Sequence, residues 1–563
     1  MKGRVAFVIL VLAATGLAAA LRLPELALRP MHCDEAVHAY KLGEMIEGGH
    51  SRYHYDPVEY HGPTLNYCTL LVTKLCGITR YADLDEVALR IVPAAFGIGM
   101  VLLLLAMRDG LGFGGAVVAA VLTAVSTCMA YYSRYFIMEV LLVFFTFLAI
   151  VGAWRYVRGG SAFWCVVAGI GVGLMHATKE TWVFVPVALG IAMLVNTAWC
   201  RWVEGEKLHF RRHVVNGRVL VAAAVGVFAA VALLSSLFTN WQGPVDSVMT
   251  YLHGLRRAGG GSGAEAGDLH VNPWYFYLRR LVWFRIGRGP IWTEAVIVAL
   301  ALAGTVAGFL RRGLGKADAG LVRVLGVYSF VLLAIYTIIP YKTPWCLMGP
   351  LHGMILVAGV GAVALVRLPL EAWAGVARGA GRAERRFFRR WIAVPQSVLL
   401  ALVIAAGAVH LGLQTWRADR KQYDSPYNPW VYAHTLRDTV RLGRRVDELA
   451  ALHPDGYHMR INFISPDPHD QWPLPWYLRR FDQSRVGYHV DIPNPPDADV
   501  LIFRADLWPR IEPHLGQGYE WEYRGLRPSI NLLLGVEASL WKKYIRQLRA
   551  KMEAEKRAKS ARR

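Results

Sequence analysis

Residues 5–21 read VAFVILVLAATGLAAAL, a run without a charge, and soon after it come HCDEAVHAY (32–40) and YHYDPVEYHGP (53–63). An apolar run of about 17–22 residues is long enough for a helix to cross a hydrocarbon core of about 30 Å. A helix is also the simplest way to satisfy every backbone polar group there. The loop beyond it, crowded with histidine, acid and tyrosine, then begins at a membrane–water boundary. Together the two stretches predict a membrane protein whose unusual residues gather where spans end.

Comparable runs recur at 88–107, 112–130, 136–154, 162–177, 182–199, 217–238, 291–310, 321–339, 346–366 and 393–413, which with 5–21 makes eleven expected spans. The stretch 64–78 is short and carries Asn66, Thr69, Thr73 and Lys74, so it is expected as an interfacial or re-entrant helix. The whole chain is 55% hydrophobic and 18% charged over 563 residues, more apolar than a typical soluble domain. Its net charge of +21 would suit nucleic acid. That charge lies largely in short loops and the last 25 residues, so membrane lipid is the expected partner and nucleic acid is not. The seven cysteines are odd in number and form no CxxC pair, which argues against a disulfide framework.

With the N-terminus in the cytoplasm, Arg108, Arg155, Arg158, Arg201, Arg311, Arg312, Lys316 and Arg367 all fall in cytoplasmic loops, as the positive-inside rule asks. The long loop 239–290 is outside and basic, and long loops obey that rule poorly. Ala18 to Ala20 also resembles a signal-peptidase site, and cleavage there would leave the following loop outside. The expected architecture is an all-α polytopic membrane body (1–413, with outer loops 22–87 and 239–290) in a cell (inner) membrane. An extracytoplasmic α/β domain (414–537) and a basic tail (538–563) follow it. Within that domain, 458–465 and 497–503 read as buried strands and 434–453 as an amphipathic helix.

Charged groups at the outer ends of spans are costly unless paired or facing water, so they mark a cavity by default. Asp34 and Glu35 read two ways. Adjacent carboxylates beside a low-dielectric wall can leave one basic enough to take a hydroxyl proton. Equally, Asp34 can cap a helix N-terminus where Glu35 is favoured. His32, Asp34, Glu35 and His38 are also candidates for a divalent metal, though no cofactor is required by the chemistry below. Arg134, Lys179 and Lys342, each at a different span end, suit a lipid phosphate or a headgroup, with Glu139 and Glu180 as their counter-charges. Tyr55, Asp56 and His61 share an aromatic outer loop. Trp345 reads as an interface residue or a sugar platform. In the soluble domain, DQWPLPWYLR (470–479) sets Trp472, Trp476 and Arg479 on a proline-stiffened segment, either a binding lip or a turn packed on the core.

These motifs, with SRYFIMEV (133–140), ATKET (177–181) and YKTPW (341–345), resemble the GT-C glycosyltransferases, which include protein O-mannosyltransferases and aminoarabinose transferases. The similarity is closest to the flippase-activity-associated subfamily. The resemblance implies transfer of a sugar from a polyprenyl-phosphate donor to a glycan, lipid or protein acceptor, with inversion. Asp34 would be the base, and Arg134, Lys179 or Lys342 would meet the phosphate. The alternative is a transporter or accessory of a lipid-linked sugar flippase. Internal repeats and charged mid-membrane spans would mark a transporter, and neither is evident in the sequence.

Overall fold

The computed structural model describes residues 2–48, 52–55, 57, 61–206, 216–258, 270–376, 387, 389–494, 496, 498–516 and 518–561. They form two compact units. The first comprises Met1–Leu26, Arg52–Thr69 and Arg90–Tyr432; the second comprises Ala27–Ser51, Leu70–Leu89 and Ala433–Arg563.

The first unit is helical. Eight stretches among the described residues are long and apolar enough to cross a bilayer: Gly3–Arg22, Glu86–Val125, Glu139–Gly159, Glu180–Trp202, Gly217–Leu234, Ala319–Ile338, Pro344–Trp373 and Arg390–Lys421. Glu86–Val125 covers two expected spans, because Gly112 (φ 72°) breaks it with a left-handed conformation that a side chain would disfavour. Ala162–His176 and Ala295–Leu310, also expected to span, are apolar but only 15 and 16 residues long. The stretch expected to lie at the interface forms the 13-residue helix Thr64–Cys76. Along the last long helix, Leu399, Leu402, Val403, Val409 and Leu413 are 60–65% exposed. An apolar face of that extent requires lipid around it, and the chain is a multi-pass membrane protein.

The second unit contains a five-stranded sheet, ordered β2-β1-β3-β5-β4. β1 (Ile461–Ile464) lies parallel to β2 (Val486–His489) and to β3 (Val500–Arg504). β5 (Ile530–Glu537) runs antiparallel to β3 and to β4 (Tyr519–Arg527). Val500 and Ile502 face a core shared with Leu442, Val446 and Leu449 of the helix Arg437–Ala450. Leu501 and Phe503 face a second core with Leu507, Ile511 and Leu533. A strand buried on both faces reads as an apolar run, unbroken over residues 500–503 in β3 and interrupted by Asn462 in β1.

Two boundaries differ from expectation. The last span continues as helix to Trp416, and the first unit keeps the chain to Tyr432, where Tyr132 Oη donates to Trp430 O at 2.8 Å. The expected tail is the helix Ala538–Ala561, whose first turns bury Leu540 and Tyr544 in the sheet core. Only its distal part is exposed all round.

Candidate functional site

In the first unit, two motifs far apart in sequence lie side by side. His61 and Lys179 form an isolated antiparallel bridge, and Gly62 N–H donates to Thr178 O at 3.0 Å. A Cβ on Gly62 would stand 2.0 Å from Ala177 O, so this approach needs glycine. Thr64 and Thr178 join their hydroxyls at 2.8 Å. His61 Nδ1 lies 3.3 Å from Glu180 Oε2, and Tyr53 Oη donates to His61 O at 2.8 Å.

The Lys179 ammonium is buried and donates to Glu139 at the start of the helix Glu139–Gly159. Burial opposes its charge, and the Glu139 carboxylate overcomes that penalty, holding the lysine well above its ordinary value. Below this pair lies a cavity of about 20 Å³ between helices, lined among others by Glu139, Thr181, Tyr336, Trp345 and Cys346. The helix Gln242–Ala258 completes the arrangement with residues that sequence reading missed. Tyr55 Oη meets Thr250 Oγ1 at 2.9 Å, Trp182 Nε1 donates to Tyr251 Oη at 2.7 Å, and His176 stacks on Trp182 with ring centres 5.2 Å apart. Ser247 Oγ lies 3.3 Å from His176 Nε2. Nothing in that helix's own sequence distinguishes Ser247, Thr250 and Tyr251 from ordinary helix residues. Asp56, expected beside Tyr55, lies outside the described residues.

Two expected phosphate ligands are otherwise engaged. Arg134 donates to the carbonyls of Leu21, Arg22, Pro24 and Glu25 at 2.7–3.4 Å, tying down the end of the first helix. Its fan of donors satisfies carbonyls at and just beyond the C-terminus of that helix. Lys342 Nζ donates to Ile339 O at 2.6 Å and to Asn272 O at 3.0 Å, and burial lowers its pKa. Trp345 is buried, edge-on to Tyr132 and Tyr432, and is neither a belt residue nor an exposed sugar platform.

In the second unit the acidic motif opens the helix Cys33–Glu47. The cap is His32, whose Nδ1 accepts from Asp34 N–H at 3.2 Å, while Glu35 Oε2 accepts from His32 N–H at 3.0 Å. This is a reciprocal capping box built on histidine. Glu35 is fully buried and also pairs with Arg29 at 3.2 Å. Glu35, expected beside Asp34 in the chemistry, is engaged here by Arg29 and the cap. The Asp34 side chain is 41% exposed, with Cys33 Sγ 3.4 Å from its Oδ1. His38 is buried.

The metal set expected from sequence does not converge, because Glu35 is bound to Arg29 and the cap. A different trio does: donor atoms of His32, Cys33 and Asp34 all lie within 4.8 Å of one another. A nitrogen–sulfur–oxygen set suits zinc better than magnesium. His32 Nδ1 is already engaged by the cap, so a metal would have to take the other ring nitrogen.

The segment expected as a lip is mostly internal. Trp476 is fully buried and donates from Nε1 to Glu86 Oε1 at 3.0 Å. Arg479 donates twice to Leu84 O, at 2.8 and 3.0 Å, and lies over the Trp476 ring. These two residues hold the turn before Glu86. Trp472 is half-buried, edge-on to Tyr40 with ring centres 5.9 Å apart.

A family model described as dolichyl-phosphate-mannose-protein mannosyltransferase matches residues 60–225. The fold is similar to ArnT from Cupriavidus metallidurans bound to undecaprenyl phosphate, with TM-score 0.58 and 15% identity, covering 95% of this chain and 98% of that one. It is also similar to the archaeal oligosaccharyltransferase AglB from Archaeoglobus fulgidus in complex with an inhibitory peptide and a dolichol-phosphate. There the TM-score is 0.54 and the identity 14%, over 93% of this chain and 74% of that one. No curated protein matches the chain. The chain thus shares its fold, a helical membrane body with a C-terminal sheet domain, with ArnT and AglB.

Proposed function

We propose that this protein is a membrane glycosyltransferase that moves a sugar from a polyprenyl-phosphate donor to an acceptor hydroxyl at the extracytoplasmic face of the membrane. The observation that carries the reading is the state of the motif acids. Glu35 is bound to Arg29, Glu139 to Lys179 and Glu180 to His61, while Asp34, with Oδ1 3.8 Å from His32 Nδ1, keeps a carboxylate 41% exposed at the start of its helix. A base must reach the hydroxyl it deprotonates, and Asp34 is the acid of the four that can. The lipid phosphates bound to ArnT and AglB support a lipid-borne donor.

In the proposed step the acceptor oxygen attacks the anomeric carbon and its proton passes to Asp34. The bond from that carbon to the phosphate oxygen breaks with inversion, and polyprenyl phosphate leaves as an anion. A phosphate is a weakly basic leaving group, so no strong acid has to protonate it, and no step is routed through a metal.

The test is Asp34→Asn in membrane vesicles supplied with labelled polyprenyl-phosphate sugar and cell-envelope acceptors. Transfer should fall by about 10²–10⁴-fold at unchanged protein level, the usual worth of a positioned base. A near-wild-type rate removes Asp34 from the reaction. EDTA should leave the rate unchanged; a loss restored by zinc would bring in the His32, Cys33 and Asp34 trio. In a deletion strain, donor accumulating outside with lost product supports transfer. Donor held on the cytoplasmic leaflet supports a flippase accessory instead.

A further inference from the structure

The helix that carries Asp34 lies within the compact unit of the C-terminal sheet domain, although some four hundred residues separate them in sequence. The contact that matters most is at Met31, just before the His32 cap. Met31 N–H donates to Tyr477 Oη at 2.9 Å, and Met31 O accepts from Thr435 Oγ1 at 2.6 Å. Both polar atoms of one residue are thus held by two side chains of the C-terminal domain. Thr435 is buried, and the Tyr477 ring packs on Gly443 of the helix Arg437–Ala450, so the clamp is rooted in the sheet core.

Further along the same helix, Tyr40 packs edge-on against Trp472 and Tyr81, and Glu47 Oε1 accepts from Tyr81 N–H at 2.7 Å. Tyr81 lies edge-on to Trp476 in turn. One end of the Asp34 helix is therefore hydrogen-bonded to the domain and its flank is packed on the proline-rich segment 470–479.

We propose that Tyr477 is a positioning residue for Asp34, and that the C-terminal domain serves as the mount that sets the angle and height of the carboxylate. The proposal rests on the reading of Asp34 as the base. A hydroxyl that fixes the peptide immediately before a helix cap controls where the first turn begins, and Asp34 lies in that turn. Removing the hydroxyl leaves the ring and its packing in place.

Tyr477→Phe should lower kcat by about ten-fold or more, since a misplacement near 1 Å can cost about 10²-fold, with KM for the lipid-linked donor unchanged. Amide hydrogen exchange over 27–36 should quicken while the sheet strands keep their protection. In the Asp34→Asn background the same change should alter the residual rate by less than about two-fold, because a misplaced base and an absent base are equivalent. Tyr544→Phe, which removes the hydroxyl facing Glu448 at 3.2 Å in the same domain, is the control and should leave kcat alone. A wild-type kcat in Tyr477→Phe overturns the proposal. So does an equal loss in both backgrounds, or an equal loss in the Tyr544 control, since each would mean a general effect on the domain. If Asp34→Asn itself is fully active, the functional reading falls, and the exchange data still report whether the clamp exists.

Discussion

HCDEAVHAY and HATKETW look alike on paper, each with histidine, acid and small residues at the end of a helix. The fold puts them to opposite use. At the first, histidine and the second acid turn inward to cap the helix, and Asp34 is left half-exposed. At the second, Lys179 is buried against Glu139, and Glu180 is paired with His61. The first motif presents a charge and the second locks charges together. A buried ion pair is expensive to break because the survivor stays uncompensated, whereas an exposed carboxylate can be neutralised with little effect on folding.

That difference can be tested directly. Lys179→Met, which strands Glu139, should lower stability by about 3–5 kcal/mol in melting or denaturant experiments on the detergent-solubilised protein. Adding Glu139→Gln should return most of it. Asp34→Asn should shift stability by no more than about 0.5 kcal/mol, as surface changes usually do. Equal shifts from Lys179→Met and Asp34→Asn would erase the contrast. Gly62→Ala sharpens it, since the added Cβ meets Ala177 O and forces apart the pairing of 61–64 with 177–179. Such overpacking costs about 1–3 kcal/mol, and no loss would mean that the two segments separate freely.

The smallest effect lies in the sheet unit, where a half-buried acid is stabilised mainly by hydrogen bonds, with a lesser attraction to His458. The Ser484 hydroxyl, the His458 ring and Ser484 N–H hold Asp482 down from 3.8 to about 2. A carboxylate depressed in the folded state adds stability above its unfolded pKa and loses it as pH falls. Melting temperature should therefore drop as pH goes from 3.8 toward about 2, and Asp482→Asn should flatten that drop. An unchanged slope would show that the Ser484 and His458 contacts do not act on folding.

The apolar runs were legible because lipid leaves the backbone no alternative to helix, and β1 and β3 because both of their faces are buried. β2, β4 and β5 were not. β4 mixes acids, arginines and aromatics along its length, and its place at the edge of the sheet is set by pairing with β5. Of the site, the adjacency of His61 and Lys179 could not be read, because it depends on Gly62 meeting Ala177 across more than a hundred residues. Arg134, Trp476 and Arg479 carried the right chemistry for a ligand, and tertiary contacts gave that chemistry to backbone carbonyls and Glu86 instead.

By itself the sequence determined that the chain is membrane-spanning, that its charged motifs cluster at span ends and that a small α/β domain follows. Those properties depend on local hydrophobicity and periodicity, which each segment carries alone. Tertiary structure decided which charges are presented and which are locked, and that the Asp34 helix is mounted on the C-terminal domain. A side chain's partners are fixed by where distant backbone arrives, and nothing within nine or ten consecutive residues encodes that.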